Sequence, residues 1–256
     1  MMDSRVGFFF RLILIATILH PGVSGCRTDS PVDFNDPSLL LKKARELDKE
    51  KNYFVAGQYY KRILDDYPDS RERVTALMLQ ADNHMKRKEY PEAKLAYQKF
   101  MELYPAWPNV DHAYFYMAMA DFMSIDTAAR DQTHTRTALE QFERLIKNFP
   151  NSPYRQRAEA KVRECHNKLA ENILEIGRYY FRTQSYQSAI NRFKNLLRTY
   201  PNQKFNDEVV FLLAESYRKE QNFRDARLFY NELVDRYPKS PFTREALVRL
   251  KKFAKN

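Results

Sequence analysis

Among the side chains capable of covalent chemistry, Cys26 stands out because the short run Val23-Ser24-Gly25 comes directly before it. A thiol can carry a lipid chain, and small neighbours leave the adjoining peptide bond accessible to a peptidase. The other cysteine, Cys165, lies in a stretch of helical periodicity, where a lone cysteine is most often a small buried apolar residue. If Cys26 carries a lipid, Cys165 has no disulfide partner.

The remaining reactive residues form no pattern typical of an enzyme or a metal site. The histidines beyond residue 25 show no i,i+4 pairing and no H-E-x-x-H motif. These histidines are His84, His112, His134 and His166. Only Gly57 and Gly177 of the five glycines lie beyond residue 25, too few for a phosphate-binding loop or for many strand turns. We therefore expect a helical binding protein with no catalytic residues, no metal and no cofactor.

The segment ahead of Cys26 has the organisation of an export signal. Arg5 and Arg11 supply positive charge, Leu12–Leu19 form the apolar part, and Pro21 breaks the segment before the cysteine. This run is much shorter than the roughly 20 residues that span a bilayer, which indicates a signal peptide over 1–25.

The residues V-S-G-C resemble a bacterial lipobox, which predicts a lipid on Cys26 and a lipidated linker over 26–36. An ordinary signal peptide that happens to contain a cysteine is the alternative. Arg27 rather than aspartate follows the cysteine, which favours the outer membrane over the inner one.

The net charge of +10 is compatible with nucleic acid, anionic lipid headgroups or acidic proteins as partners. The export signal argues against nucleic acid. Because basic residues alternate with acidic ones along the helical stretches, most of them are expected on a solvated surface.

A repeated pattern defines the elements of the fold. An aromatic residue followed by proline recurs five times, with an alanine twelve residues before each proline and an aromatic residue four positions after each alanine. The aromatic–proline pairs are Tyr67-Pro68, Tyr104-Pro105, Phe149-Pro150, Tyr200-Pro201 and Tyr237-Pro238. The alanine and aromatic positions are Ala56 and Tyr60, Ala93 and Tyr97, Ala138 and Phe142, Ala189 and Phe193, and Ala226 and Tyr230.

A second small residue precedes each of these alanines. It is twelve residues upstream in four repeats and further upstream in repeat three, after an insertion of eight residues. These residues are Ala44, Ala81, Ala118, Gly177 and Ala214. Two helices that meet at small residues, with aromatic residues around the contact, are typical of the tetratricopeptide repeat (TPR).

The spacing of the repeats predicts their arrangement. Ser152-Pro153 begins a helical pattern that continues unbroken through Tyr179, and Ser240-Pro241 begins a terminal capping helix. We therefore predict an all-α fold, a right-handed TPR superhelix of about five repeats in two sub-arrays joined by a long helix. Repeats one to three occupy 37–152, and 153–256 hold the long helix, repeats four and five and the cap.

Several local motifs resemble one family, the BamD lipoproteins of the outer-membrane β-barrel assembly machinery. Its motifs are matched by Trp107-Pro108-Asn109-Val110-Asp111, by Ala129-Arg130-Asp131-Gln132-Thr133-His134, by Phe149-Pro150-Asn151-Ser152-Pro153-Tyr154, by Gly177-Arg178-Tyr179-Tyr180 and by Asn191-Arg192. The repeat-three insertion is shorter than the family pattern, and the C-terminal cap is more basic.

The resemblance implies a periplasmic scaffold on the outer membrane, attached only by its lipid. Its implied partners are the periplasmic domains of a BamA-like barrel subunit, other lipoproteins of the machinery and unfolded outer-membrane proteins. The match at Asn191-Arg192 implies that Arg192 lies near the surface that docks the barrel subunit. A TPR lipoprotein that organises the cell envelope, for example through peptidoglycan or division factors, remains the alternative.

The first helices of repeats two and three predict a substrate groove rich in methionine and phenylalanine, flanked by cations. Methionine suits a surface that accepts many apolar sequences, and the cations could pair a terminal carboxylate next to an aromatic residue. The groove residues are Met78, Met85, Phe115, Met119, Phe122 and Met123, and the cations are Arg45, Lys49 and Lys86. The alternative is that these side chains only fill the inside of a curved array.

Overall fold

The computed structural model describes residues 36–125 and 132–253. Within these ranges the chain forms eleven helices and no strand. The helices are α1 (Pro37–Lys49), α2 (Tyr53–Asp66), α3 (Glu72–Lys86), α4 (Tyr90–Leu103), α5 (Val110–Met123), α6 (Thr133–Asn148), α7 (Arg155–Arg182), α8 (Tyr186–Thr199), α9 (Asn206–Lys219), α10 (Phe223–Arg236) and α11 (Thr243–Phe253). The predicted signal peptide, Cys26 and most of the repeat-three insertion lie outside the described residues.

Each helix packs against the next one along the chain, and the first helices of neighbouring repeats also touch. Contacts of the second kind join α1 to α3, α3 to α5 and α7 to α9. This pattern, in which every unit contacts only its neighbours, is that of a solenoid. The predicted all-α TPR superhelix is confirmed.

The predicted positions of the small and aromatic residues are also confirmed. In all five repeats both small residues are fully buried, and so is the aromatic residue four positions after the second one. Gly177 shows how close the two helices of a repeat come, because a Cβ added there would overlap the ring of Phe193. The small residues therefore set the distance between the paired helices.

The aromatic–proline pairs end the second helix of each repeat. The aromatic residue is the C-cap in every case, and at Tyr67 its N–H donates to the carbonyl of Ile63, at 3.2 Å. Proline follows immediately and cannot continue the helix, because it has no N–H and its ring clashes with the preceding turn.

The turn inside four of the repeats contains a non-glycine residue with positive φ. These residues are Lys51, Lys88, Gln184 and Gln221, with φ between 60° and 64°. The next N–H closes each turn, as when Ser185 N donates to the carbonyl of Tyr180, at 2.9 Å. This is the Schellman arrangement, where glycine is the usual residue because a side chain is strained in the left-handed region.

The long helix begins later than the Ser-Pro signal predicts. It spans Arg155–Arg182, because Ser152 Oγ accepts from the N–H of Tyr154 at 3.1 Å and donates to Asp111 at 2.6 Å. The Ser152 side chain therefore closes a turn just before the helix and links this turn to the start of α5 by a hydrogen bond. Ser240 makes the equivalent contacts with Phe242 and Asp207, so that α11 begins at Thr243.

The long helix joins the two sub-arrays. Its first half packs Ala158 and Cys165 into the cluster around Phe142. Its second half is the first helix of repeat four, with Leu174 packed in the cluster around Phe193.

The capping helix covers the end of the last repeat. Ala246 is buried in the cluster that includes Tyr230, and Phe242, Leu250 and Phe253 pack against this cluster. Arg249 of this helix donates to the buried Glu215, at 2.9 Å.

The close contact at Gly177 gives a test of the helix pairing. Replacing a helical glycine with alanine usually stabilises a protein by about 0.5–1 kcal/mol. For Gly177→Ala we expect a loss of about 1–3 kcal/mol in urea unfolding, because the new methyl group overpacks the Phe193 ring. Combining it with Phe193→Leu should recover part of the loss, whereas a more stable single variant would contradict the contact.

The strained turns give a second test. We expect Gln184→Gly to raise the free energy of unfolding by about 0.5–1 kcal/mol, because relief of the left-handed strain exceeds the entropy cost of glycine. Lys194→Gly, at an exposed position in the middle of α8, is the control and should cost about 1 kcal/mol. Equal losses in both variants would show that residue 184 is not strained.

Candidate functional site

A cavity of about 1060 Å³ opens on the inner face of repeats one to three. Its walls come from α3, from the turn 105–109 with the start of α5, and from the turn 148–154 ahead of α7. Arg45 of α1 lines one side. The cavity is therefore assembled from three repeats and cannot form on any one of them.

The apolar part of this cavity comes mainly from α3 and the turn that follows α4. Val74, Met78 and Leu79 line it and are partly buried, and the side chain of Trp107 is 39% exposed. The Trp107 ring packs edge-on against Tyr104, with the centroids 6.4 Å apart. An apolar side chain entering the cavity would meet both a flexible thioether and a large aromatic surface.

A polar network centred on His112 fixes one wall of the cavity. Nε2 of His112 lies 2.7 Å from Asp82, and Nδ1 lies 2.8 Å from the Tyr154 hydroxyl. Because an ionised carboxylate only accepts hydrogen bonds, Nε2 donates to Asp82, and in the neutral ring Nδ1 accepts from Tyr154. The network joins α3 of repeat two, α5 of repeat three and the turn before α7.

Tyr97 completes this network from the second helix of repeat two. Its hydroxyl donates to the same Asp82 oxygen, at 2.5 Å. Burial raises the pKa of Tyr97, and the neighbouring Asp82 charge raises it further, so the hydroxyl remains a donor.

The predicted groove residues do not all line one surface. Met78 and Arg45 lie together in the cavity. Phe115 does not, since it is 1% exposed, stacks on Tyr154 at 4.9 Å between centroids and lies under the Arg157 guanidinium at 4.5 Å. Its prediction as a groove residue is wrong, because two residues some 40 positions further along the chain cover its ring.

The other apolar groove residues lie outside the cavity lining. Met85 packs against the cluster around Tyr97, and Met119 packs against the cluster around Phe142. Phe122 packs edge-on against Phe142 and has the Lys161 ammonium 4.3 Å above its ring. Met123, at the end of α5, is 47% exposed. Met85, Met119 and Phe122 therefore pack within the array, whereas Met123 is exposed and Met78 lies at the cavity.

The three predicted cations differ in whether a residue of the chain already pairs with them. Lys86 forms an ion pair with Asp48, which also accepts from Asn83. Arg45 and Lys49 are exposed, form no ion pair with any residue that the structure describes, and line a second cavity of about 420 Å³. Only these two of the three cations are available to a ligand.

Arg192 lies in the other sub-array, on the exposed face of α8. It lines a shallow cavity of about 270 Å³ with Asn191 and Ser188. The described part of the chain offers its guanidinium no ion-pair partner.

Cys165 is a buried free thiol. Burial raises its pKa to about 11, so the thiol is protonated and unreactive at neutral pH, as the sequence predicted. Residues 36–125 and 132–253 contain no group of three or more histidine, cysteine or acidic side chains that could hold a metal ion. None of the helices formed by these residues is long and apolar enough to cross a membrane.

Stacked helix–turn–helix repeats around a concave cavity define a tetratricopeptide-repeat scaffold. Residues 34–227 match the family model described as "YfiO: Outer membrane lipoprotein", and the chain belongs to this family. The resemblance to the BamD family is confirmed.

Individual relatives match over most of the chain. It is 30% identical to the outer membrane protein assembly factor BamD of Haemophilus influenzae, over 81% of this chain and 82% of that protein. It is 28% identical to the BamD of Neisseria meningitidis serogroup B, over 91% and 94%. A solved tetratricopeptide repeat protein from Parabacteroides merdae is 13% identical over 86% of this chain and 75% of that one, with a TM-score of 0.38.

The network around Asp82 gives a test of the cavity wall. Tyr97→Phe removes a buried hydrogen bond to a charged group and should lower the free energy of unfolding by about 1.5–3 kcal/mol. Tyr60→Phe is the matched control, because Tyr60 holds the same position in repeat one and its buried hydroxyl has no partner among the described residues. Equal effects of the two changes in urea unfolding would contradict the role of the Asp82 bond.

Proposed function

We propose that this protein is an outer-membrane protein assembly factor that works as a scaffold rather than an enzyme. In this proposal repeats one to three hold segments of unfolded outer-membrane proteins, and repeats four and five dock the barrel subunit. The observation that supports it most strongly is the inner cavity that Arg45, Met78 and Trp107 line together, in a member of this lipoprotein family.

The chemistry of the cavity suits a segment that ends in an aromatic residue. Its volume of about 1060 Å³ is at the upper end of the range for ligand pockets, enough for an aromatic side chain and several backbone units. Met78 can adapt its shape to different apolar side chains, which favours a broad range of related sequences. The exposed cations Arg45 and Lys49 lie where a terminal carboxylate would need them.

Docking of a BamA-like barrel subunit is proposed at Arg192. A guanidinium forms paired hydrogen bonds with a carboxylate, so an acidic residue on the periplasmic domains of the partner would match it. The exposure of Arg192 and Asn191 on α8 leaves both side chains accessible to such a partner. Other lipoproteins of the machinery would bind around this contact.

The same proposal places the protein on the periplasmic face of the outer membrane, held by a lipid on Cys26. Acyl chains provide membrane affinity of about 0.8 kcal/mol for each buried CH₂ group, so that more than one chain is needed for stable attachment. No other cofactor is part of this proposal.

Photo-crosslinking in intact cells tests the substrate site. A crosslinking amino acid at Met78 should capture unfolded outer-membrane proteins, because that side chain lines the cavity. The same group at Gln98, exposed on α4 and absent from the cavity lining, is the control and should capture few or none.

The proteins that co-purify with the tagged chain extend the test. Recovery of a barrel subunit supports the proposal, and Arg192→Glu should weaken that recovery. Capture of peptidoglycan-associated or division proteins instead would favour the envelope-organising alternative and contradict the proposal.

A further inference from the structure

Helix α11 has the register of the first helix of a repeat. Thr243 at its start donates to the carbonyl of Tyr237, at 2.7 Å, as Asn206 at the start of α9 donates to the carbonyl of Tyr200, at 3.3 Å. The two pairs are 37 residues apart in the sequence. Each position of α11 therefore has a counterpart in α9, the first helix of repeat five.

The side of α11 that faces repeat five is packed as a first helix should be. In α9, Val209 and Leu213 are buried in the cluster of repeat four. Their counterparts in α11 are Ala246 and Leu250, and both pack in the cluster of repeat five. Helix α11 thus occupies the place of the first helix of a sixth repeat.

The opposite side of α11 is uncovered. In α9 the corresponding positions are buried in one cluster with α10, and they hold Val210, Phe211 and Ala214. Their counterparts in α11 are all exposed, and they are Leu247, Val248 and Lys251. Leu247 is 43% exposed and Val248 is 46% exposed. Two aliphatic side chains therefore lie on the surface where the second helix of a repeat would pack.

The charge of this surface is opposite to that of α9. Glu215 of α9 accepts hydrogen bonds from two elements that follow it, through Tyr230 of α10 and Arg249 of α11. The counterpart of Glu215 in α11 is Lys252. Because an ammonium group only donates hydrogen bonds, an element packed here must provide an acceptor where α10 provides a donor.

Two further cations border the same surface. Asp207 of α9 accepts from the Ser240 hydroxyl, at 2.7 Å, and its counterpart in α11 is Arg244. Lys251 takes the place of the small residue, and its alkyl chain can lie against an apolar side chain while the ammonium group stays in water. Arg244, Lys251 and Lys252 are exposed and form no ion pair with any described residue.

We propose that α11 is the first helix of a sixth repeat whose second helix is supplied by a partner protein. The partner helix is amphipathic: its apolar side covers Leu247 and Val248, and an acidic residue pairs with Lys252 from the position that Tyr230 holds in α10. The family model matches residues 34–227 and so stops before α11. The inference goes beyond the proposed function, because neither the cavity nor Arg192 takes part in it.

Two other occupants fit this surface less well. A second copy of the chain that packs α11 against α11 would bring cations next to cations, which is unfavourable. An anionic bilayer would match the cations. It would not account for the aliphatic side chains at the positions that α10 covers in repeat five.

Two helix-stabilised peptides test the site. Both have the sequence of residues 222–237, one with Tyr230→Glu and the other with Tyr230→Lys. We expect the full chain to bind the glutamate peptide at least about tenfold more tightly than the lysine peptide in fluorescence anisotropy, because only the glutamate can pair with Lys252. In the variant Lys252→Glu the order of the two affinities should reverse.

Two control variants separate this site from other surfaces. The double change Leu247→Ser and Val248→Ser should weaken the binding of both peptides at least about tenfold, because the apolar contact is lost. Lys194→Glu, an exposed cation on α8, should leave the preference for the glutamate peptide unchanged. Since all of these side chains are exposed, the thermal melts of the variants should stay close to that of the parent chain.

The other outcomes each overturn a stated part of the proposal. Equal binding of the two peptides, or a preference for glutamate that survives in Lys252→Glu, would show that the partner is not acidic. If neither peptide binds, or if the double serine variant binds both as the parent does, the second-helix site is wrong.

Two further measurements decide between the occupants. Binding to phosphatidylglycerol vesicles that the double serine variant loses, without peptide binding, would assign the surface to a membrane. A dimer in sedimentation that the same variant abolishes would assign it to a second copy. All of these results leave crosslinking at Met78 unaffected, so the proposed function is tested separately.

Discussion

The close approach of two helices at paired small residues is the constraint on which the rest of this molecule depends. The contact at Gly177 and Phe193 leaves no room for a single methyl group, and the alanine pairs of the other repeats are equally buried. At this separation an aromatic ring one turn later fills the space between the helices, and its direction is fixed. The hydroxyl of a tyrosine at that position therefore reaches the inner face of the array, where a carboxylate from the first helix meets it.

This geometry explains how a carboxylate on the inner face can be buried, as Glu215 is, or partly buried, as Asp82 is. Asp82 and Glu215 each accept from a tyrosine of their own repeat and from a basic side chain of the following helix. A buried carboxylate is tolerated only where such donors surround it. The same bonds hold neighbouring repeats in a fixed relation, so the cavity between repeats one and three has walls that do not depend on a ligand to form.

The sequence predicted what depends on the repeat and missed what depends on contacts between repeats. The periodic small and aromatic residues gave the helices and their buried faces, because each follows from spacing within about 35 residues. Phe115 was misplaced because Tyr154 and Arg157 cover its ring from a later element. The cavity walls at 105–109 and 148–154 are recognisable in the sequence only as motifs of the family, although aromatic–proline turns in adjacent repeats mark where such walls meet. Ser152 and Ser240 have the sequence pattern of helix starts, but their hydroxyls bond to acids some 30 to 40 residues earlier.

The long helix determines how the two halves of the array can act together. It belongs to the repeat-three cluster at its start and to the repeat-four cluster at its end, and its 28 residues extend over about 42 Å. In a solenoid each unit touches only its neighbours, so any influence of the cavity on the face around Arg192 must pass through this helix. Because α7 is uninterrupted, it fixes the orientation of one sub-array relative to the other, whereas a local distortion at one end is poorly transmitted to the other end. The two proposed surfaces are thus held at a fixed orientation, which suits a scaffold that presents one bound chain to a second partner.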